Sequence, residues 1–291
     1  MSLTAGDNGK VLDQTSVKNK RALIFIHLPK TAGTTLGRII EFEYNPLKIY
    51  TVDPYFIRWS NAHLSNLPAQ RLAKFEVFKG HLGFGLHEKL PQTSTYITVL
   101  RDPIDRAIST YYFMSTYVLH PRYRQIKRAG WTLEDFIQKF PRNNIQCKYL
   151  TGADWDAECN QAMCEQAKHN LANYFSVVGI SERFDETLAL MKLEFGWKLS
   201  TYSSFNKTKR RPKKHDVAGS TIQLICDYNR FDLELYSFGQ ALFQKKLDGR
   251  HDEVTRLVLH FRAHKANTFS HLLYGTNAAI RKAISRIHSA L

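Results

Sequence analysis

Two short strings and one histidine hold the side chains in this sequence that are best suited to chemistry on an anionic group. The first string is His27-Leu-Pro-Lys-Thr-Ala-Gly-Thr-Thr35, with a lysine, a glycine and three hydroxyls in nine residues. Such a loop, opening a helix, offers backbone N–H groups and the positive helix end to an anion, and Lys30 adds a mobile charge. The second is Arg101-Asp-Pro-Ile-Asp-Arg-Ala-Ile-Ser109, where Asp102 suits a helix N-cap and Pro103 its first turn. Arg101 then stands where a strand becomes a helix. It can grip a phosphate with two parallel hydrogen bonds, and Ser109, two turns on, can add a hydroxyl. The histidine is His81 in Lys79-Gly-His-Leu-Gly-Phe84, flanked by glycines that permit close backbone approach. A hydroxyl is a poor nucleophile until a base starts to remove its proton, and His81 is the best candidate for such a base.

The elements needed to position these groups are short apolar strands alternating with helices. Residues 22–27, 49–52, 75–78, 95–100 and 175–180 read as strands, the first being an unbroken apolar run of the kind buried on both faces. Helical patterns run over 64–75, 104–118, 132–140 and 182–195, and from about Ser220 onward the chain reads as helical. The expected fold is α/β, a P-loop-like doubly wound parallel sheet with helices on both faces and a helical C-terminal extension. Ligands should bind at the carboxyl ends of the strands. The expected organisation is a leader over 1–20, one α/β domain over 21–245, and helices over 246–291 packed on it.

The Lys30 loop is not a Walker motif, because its lysine precedes its only glycine. Pro29-Lys-Thr-Ala-Gly-Thr-Thr35 instead resembles the 5′-phosphosulfate loop of sulfotransferases that use 3′-phosphoadenosine 5′-phosphosulfate (PAPS), particularly the heparan sulfate 2-O-sulfotransferase-like, carbohydrate branch. The Arg101–Ser109 string resembles the 3′-phosphate element of the same family. Residues 143–152, 178–184 and 204–212 are similar to later family segments. The resemblance implies that Pro29, Lys30, Thr31, Ala32, Gly33, Thr34, Thr35, Arg101 and Ser109 contact PAPS. It further implies that the basic loop brings Lys207, Thr208 and Arg211 to the cofactor, and that the glycine-flanked His81 is the catalytic histidine of the 2-O branch. Other branches use a glutamate after the first helix, which makes Glu41 or Glu43 the rival base, with His87 a weaker one. The implied reaction is in-line transfer of a sulfuryl group without a metal, Lys30 neutralising charge on the departing phosphate oxygen.

Composition bounds the partners. A net charge of +15 over 291 residues attracts polyanions and anionic small molecules. The expected acceptor is a saccharide or glycolipid, acidic ones included, rather than nucleic acid, with peripheral membrane contact and oligomerisation left open. No apolar run approaches the roughly 20 residues of a membrane span, the N-terminus lacks a signal-peptide core, and Cys147, Cys159, Cys164 and Cys226 lack metal or redox spacing. Free thiols in a cytoplasmic protein are therefore expected. Two other classes compete: a P-loop kinase or triphosphatase, with residues 96–102 as its strand and magnesium-binding aspartate, and a non-catalytic nucleic-acid binder motivated by charge alone.

Overall fold

Strand β1 (Ala22–Ile26) is at most 1% exposed at every residue, so both its faces are covered, as its unbroken apolar sequence requires. A computed structural model describes residues 21–54, 56–140, 143–202, 211–264, 280 and 283. From β1 the chain continues through α1 (Gly33–Glu43), β2 (Ile49–Thr51), α2 (Ile57–Asn66), α3 (Ala69–Leu72), β3 (Val77–Gly80) and β4 (Ser94–Leu100). Four helices come next, α4 (Pro103–Thr116), α5 (Tyr123–Arg128), α6 (Leu133–Lys139) and α7 (Ile145–Thr151), and then α8 (Gln161–Tyr174) leads into β5 (Phe175–Ile180). The remaining described helices are α9 (Phe184–Phe195), α10 (Gly219–Tyr228), α11 (Arg230–Asp248) and α12 (His251–Ala263).

The five strands pair in the order β2-β3-β1-β4-β5, all parallel. The doubly wound sheet expected from the alternation of strands and helices is present. Its winding reverses between β1 and β4, where the neighbours of the central strand diverge and open α/β sheets bind their ligands. Two expected boundaries are corrected. Strand β3 lies at 77–80 rather than 75–78, and the helix expected over 64–75 is two helices, α2 and α3. Pro68 lies between them and disfavours helical backbone at the preceding Leu67, whose φ is −67° and ψ 134°.

One apolar cluster joins the sheet to α1, α7, α8, α9, α11 and α12, including Val254, Val258 and Phe261. A second cluster packs α4 against α5, α6 and α10 through Ile104, Ile108, Phe136, Ile137 and Ile225, and so sets the helix that begins just after Arg101. Helix α11 runs unbroken across residue 245. The four cysteines are unbridged, and among the described residues no helix is long and apolar enough to cross a membrane.

Candidate functional site

The loop after β1 is built on two left-handed residues that are not glycine. Lys30 has φ 68° and Ala32 φ 66°, conformations costing about 1–3 kcal/mol each and concentrated at functional sites. The Thr31 hydroxyl donates to the Leu28 carbonyl at 2.9 Å and so stabilises the loop from within. Neither Thr31 nor Thr34 caps α1, as an ordinary strand-to-helix turn would have it. The N-cap is Ala32, which makes no side-chain cap bond. The first-turn amides at Gly33 and Thr34 thus stand at the positive helix end without an intrahelical acceptor. Gly33 is required by packing, because a Cβ there would lie 1.9 Å from the His27 ring.

The second string reaches this loop directly. Asp102 caps α4 by accepting from Ile104 N–H at 2.8 Å and Asp105 N–H at 3.0 Å, with Pro103 in the first turn. The Arg101 side chain therefore leaves the end of β4 toward β1, and its Nη1 donates to the Lys30 carbonyl at 2.8 Å. Arg101 Nη2 also donates to Asp105 Oδ2 at 3.3 Å, so the ion pair that a purely structural arginine would make does form. The other face of Asp105 receives Arg211, whose Nη1 and Nη2 donate at 3.1 and 3.2 Å. One carboxylate thus holds two guanidinium groups side by side. Burial opposes its ionisation, but the hydrogen bonds from Arg211 and the charges of Arg101 and Arg211 outweigh that and keep its pKa below the ordinary value. Arg101 Nε stands 3.9 Å from Glu182 Oε1 and has no hydrogen-bond acceptor among the described residues.

Lys30 lies with its Nζ 4.2 Å from the centre of the Phe113 ring on α4. Burial, together with the neighbouring positive charges of Arg101 and then Arg211, pulls its pKa down to about 8. Ser109 is buried on α4, two turns from Arg101. Lys207 and Thr208 lie outside the described residues.

On the other side of β1, His81 comes directly after β3. Gly80 adopts φ 130°, and a Cβ there would come within 2.7 Å of the Val52 carbonyl, so only glycine allows this turn. His81 then folds back onto the end of β1, where its Nδ1 lies 2.7 Å from the His27 carbonyl oxygen. A carbonyl can only accept, so Nδ1 carries the proton and Nε2 of the neutral ring has the lone pair. Asn61 of α2 donates to the His81 carbonyl at 3.1 Å. The His27 and His81 rings stack with centroids 4.5 Å apart.

The rival bases are engaged elsewhere. Glu41 is buried in an ion pair with Lys79 at 2.7 Å, while Glu43 accepts from the N–H groups of Lys198 and Leu199 at 2.8 Å each. The His87 ring meets the Tyr96 hydroxyl at 2.9 Å and packs against Phe84 and Tyr174. Sequence reasoning misses His27 as a site residue. The available signal is the adjacency of a histidine to the Lys30 loop, which reads as no more than the end of a strand until β3 brings His81 alongside.

Lys30, Arg101 and His81 thus sit at the carboxyl ends of three adjacent strands, with the Lys30 loop in the middle and Arg211 joined to Arg101 through Asp105. The chain matches the model of the galactose-3-O-sulfotransferase family over residues 9–288. It is similar to heparin sulfate O-sulfotransferase of Drosophila melanogaster, with 26% identity covering 82% of this chain and 78% of the relative. Heparan sulfate 2-O-sulfotransferase 1 of Xenopus laevis is 25% identical, covering 78% and 74%, and heparan-sulfate 6-O-sulfotransferase 1-B of Danio rerio is 25% identical, covering 81% and 69%. A sheet that brings the Lys30 and Arg101 strand ends together, a family model matched over nearly the whole chain, and relatives that are themselves sulfotransferases lead to one assignment: this chain is a sulfotransferase enzyme and belongs to the galactose-3-O-sulfotransferase family.

Proposed function

We propose that the chain moves a sulfuryl group from PAPS to a hydroxyl of a saccharide, with His81 as general base. The observation that carries this reading is the 2.8 Å hydrogen bond from Arg101 to the Lys30 carbonyl, which joins the two anion-binding strings, with His81 across β1. The residues suit a nucleotide with two separated anionic groups. Lys30 has a pKa depressed by burial and by two guanidinium neighbours, and Arg101 Nε is a buried donor lacking an acceptor among the described residues; an anion relieves both.

When bound, PAPS supplies a sulfuryl group already activated by a phosphate leaving group. The chain does the rest. The loop amides and Lys30 hold the phosphosulfate end, while Arg101 and Arg211, set by Asp105, grip the 3′-phosphate side. His81 Nε2 takes the acceptor proton, its ring kept in one tautomer by the His27 carbonyl and supported by the His27 ring. The Lys30 ammonium would stabilise the negative charge that grows as the leaving group departs. Since His81 and Arg101 flank the loop on opposite sides, the acceptor would be held on the β3 side and the 3′-phosphate of the donor on the β4 side, an arrangement suited to in-line displacement.

The family takes its name from galactose and the relatives theirs from heparan sulfate, so the acceptor class supported best is a carbohydrate hydroxyl. The positive charge of the chain favours an acidic or already sulfated saccharide. Transfer of labelled sulfate from PAPS to a panel of galactosides, glycolipids and heparan-type polysaccharides tests the reading. His81→Ala should lower turnover by roughly 10²–10⁴-fold while leaving affinity for adenosine 3′,5′-bisphosphate nearly intact. Full activity in that variant would move the base to another group.

A further inference from the structure

Behind Arg101 lies a buried polar network that none of the proposed catalytic steps uses. Strand β4 ends at Leu100, and Gln146 of α7, 0% exposed, continues the pairing at Arg101. Arg101 N–H donates to Gln146 Oε1 at 3.1 Å, and Gln146 Nε2 donates back to the Arg101 carbonyl at 3.0 Å. One side-chain amide therefore satisfies both polar groups of one residue's backbone, as a neighbouring strand would.

Gln146 is itself anchored. Its N–H and that of Cys147 donate to the two carboxylate oxygens of Asp232 on α11, at 3.1 and 2.9 Å. Asn144, left-handed at φ 51°, accepts from the N–H groups of Phe231 and Asp232 at 3.0 Å each, and its own N–H donates to Asn229 Oδ1 at 3.2 Å. Arg106 of α4 reaches into the same set, with Nη2 3.4 Å from Asn229 Oδ1 and 3.8 Å from Asp232 Oδ2. The network holds Arg101 at two points: its own peptide groups through Gln146, and helix α4, which carries Asp105, through Arg106. Burying so many polar groups is costly unless each is satisfied, and a satisfied buried network holds one geometry in place of many.

We propose that Gln146 is a positioning residue, whose amide clamp on the Arg101 backbone fixes the direction from which the guanidinium meets the bound anion. This rests on the reading that Arg101 binds the 3′-phosphate of the donor. Gln146 is fully buried and its side chain binds only the Arg101 backbone among the described residues, so its loss carries a signature that a general packing role lacks.

The test is a double-mutant cycle on the full chain, with calorimetric affinity for adenosine 3′,5′-bisphosphate as the readout and a thermal melt of each variant alongside. Gln146→Ala, and the isosteric Gln146→Glu, which keeps the shape but loses the donor, should each weaken binding by about tenfold. In an Arg101→Ala background the same changes should shift affinity less than about twofold, because the group they position has gone. Equal losses in both backgrounds, or wild-type affinity in Gln146→Glu, overturn the clamp. Gln146→Glu keeps the test decisive if Gln146→Ala fails to fold. A wild-type chain that does not bind the bisphosphate sinks the donor reading and the clamp together, whereas good wild-type binding with an additive cycle sinks the clamp alone.

Discussion

Two lysines stand at neighbouring strands of the same sheet, both largely removed from water, and their surroundings could hardly differ more. Lys79 on β3 is paired with the buried carboxylate of Glu41 at 2.7 Å, so the charge taken out of water meets its opposite. Lys30, just past β1, lies against the Phe113 ring with Arg101 and Arg211 nearby, and its pKa is pulled down to about 8. At Lys79 the carboxylate of Glu41 offsets the burial of charge, whereas at Lys30 two neighbouring guanidinium groups add to its cost. The first arrangement serves the fold. The second is suited to receive an anion, and the strained φ values at Lys30 and Ala32 fall in the same loop.

Lys79→Met leaves Glu41 as a buried carboxylate without that ammonium and should cost about 3–5 kcal/mol of stability. Adding Glu41→Leu should recover most of that loss, since a matched apolar pair can replace a buried ion pair. Urea unfolding of the two variants checks both statements, and turnover in the stable double variant checks the rival base. If Glu41→Leu restores the fold but activity is gone, Glu41 has a part in catalysis that the buried pairing does not suggest.

Lys30→Met should behave in the opposite way. Turnover should fall by roughly 10²–10³-fold, the scale for removing one electrostatic partner of a developing charge. Stability at pH 7 should rise, because a desolvated ammonium beside two guanidinium groups has been replaced by an apolar chain of similar length. A relief of about 1 kcal/mol would raise Tm by about 1–2 °C in a chain of this size. A fall in Tm comparable to that of Lys79→Met would erase the distinction between the two lysines.

Much of this architecture is legible in the sequence, for physical reasons. Five apolar runs separated by helical patterns specify a covered parallel sheet, and both anion strings come directly after strands, so the doubly wound rule alone sends Lys30 and Arg101 to one edge. The misplaced end of β3 comes from Lys79, whose charge reads locally as the end of a buried run. Its partner Glu41 is 38 residues away and cancels that signal only in three dimensions. Pro68 is a visible breaker inside the expected 64–75 helix and divides it. Gln146 and Asp232 carry no local mark of their roles, and His27 has only its place beside the Lys30 loop: the stacking of His27 on His81 spans 54 residues, and the bonds from Gln146 and Cys147 to Asp232 span 86 and 85. Spacing in sequence reveals what one loop can do, whereas orienting groups come from wherever the fold brings a neighbour.

The finest test of the comparison is the pH dependence of anion binding. In the unbound chain Lys30 loses its proton through a pKa of about 8, the lowering coming first from burial and then from Arg101 and Arg211. An anion beside the ammonium favours the protonated form, so the pKa rises on binding and the complex holds more protons than the free chain over the interval between the two values. By linkage, affinity must then fall as pH climbs through about 8 and level off above the pKa of the complex. If binding restores the lysine to about 10, affinity for adenosine 3′,5′-bisphosphate should drop roughly tenfold between pH 7 and 9. The phosphates of the ligand titrate near pH 6 and contribute little in that window. Lys30→Met should bind more weakly at pH 7 and show almost no slope, whereas Lys79→Met/Glu41→Leu should keep the wild-type slope. A slope that survives the loss of Lys30 would assign the titrating group elsewhere and remove the reason for setting this lysine apart from Lys79.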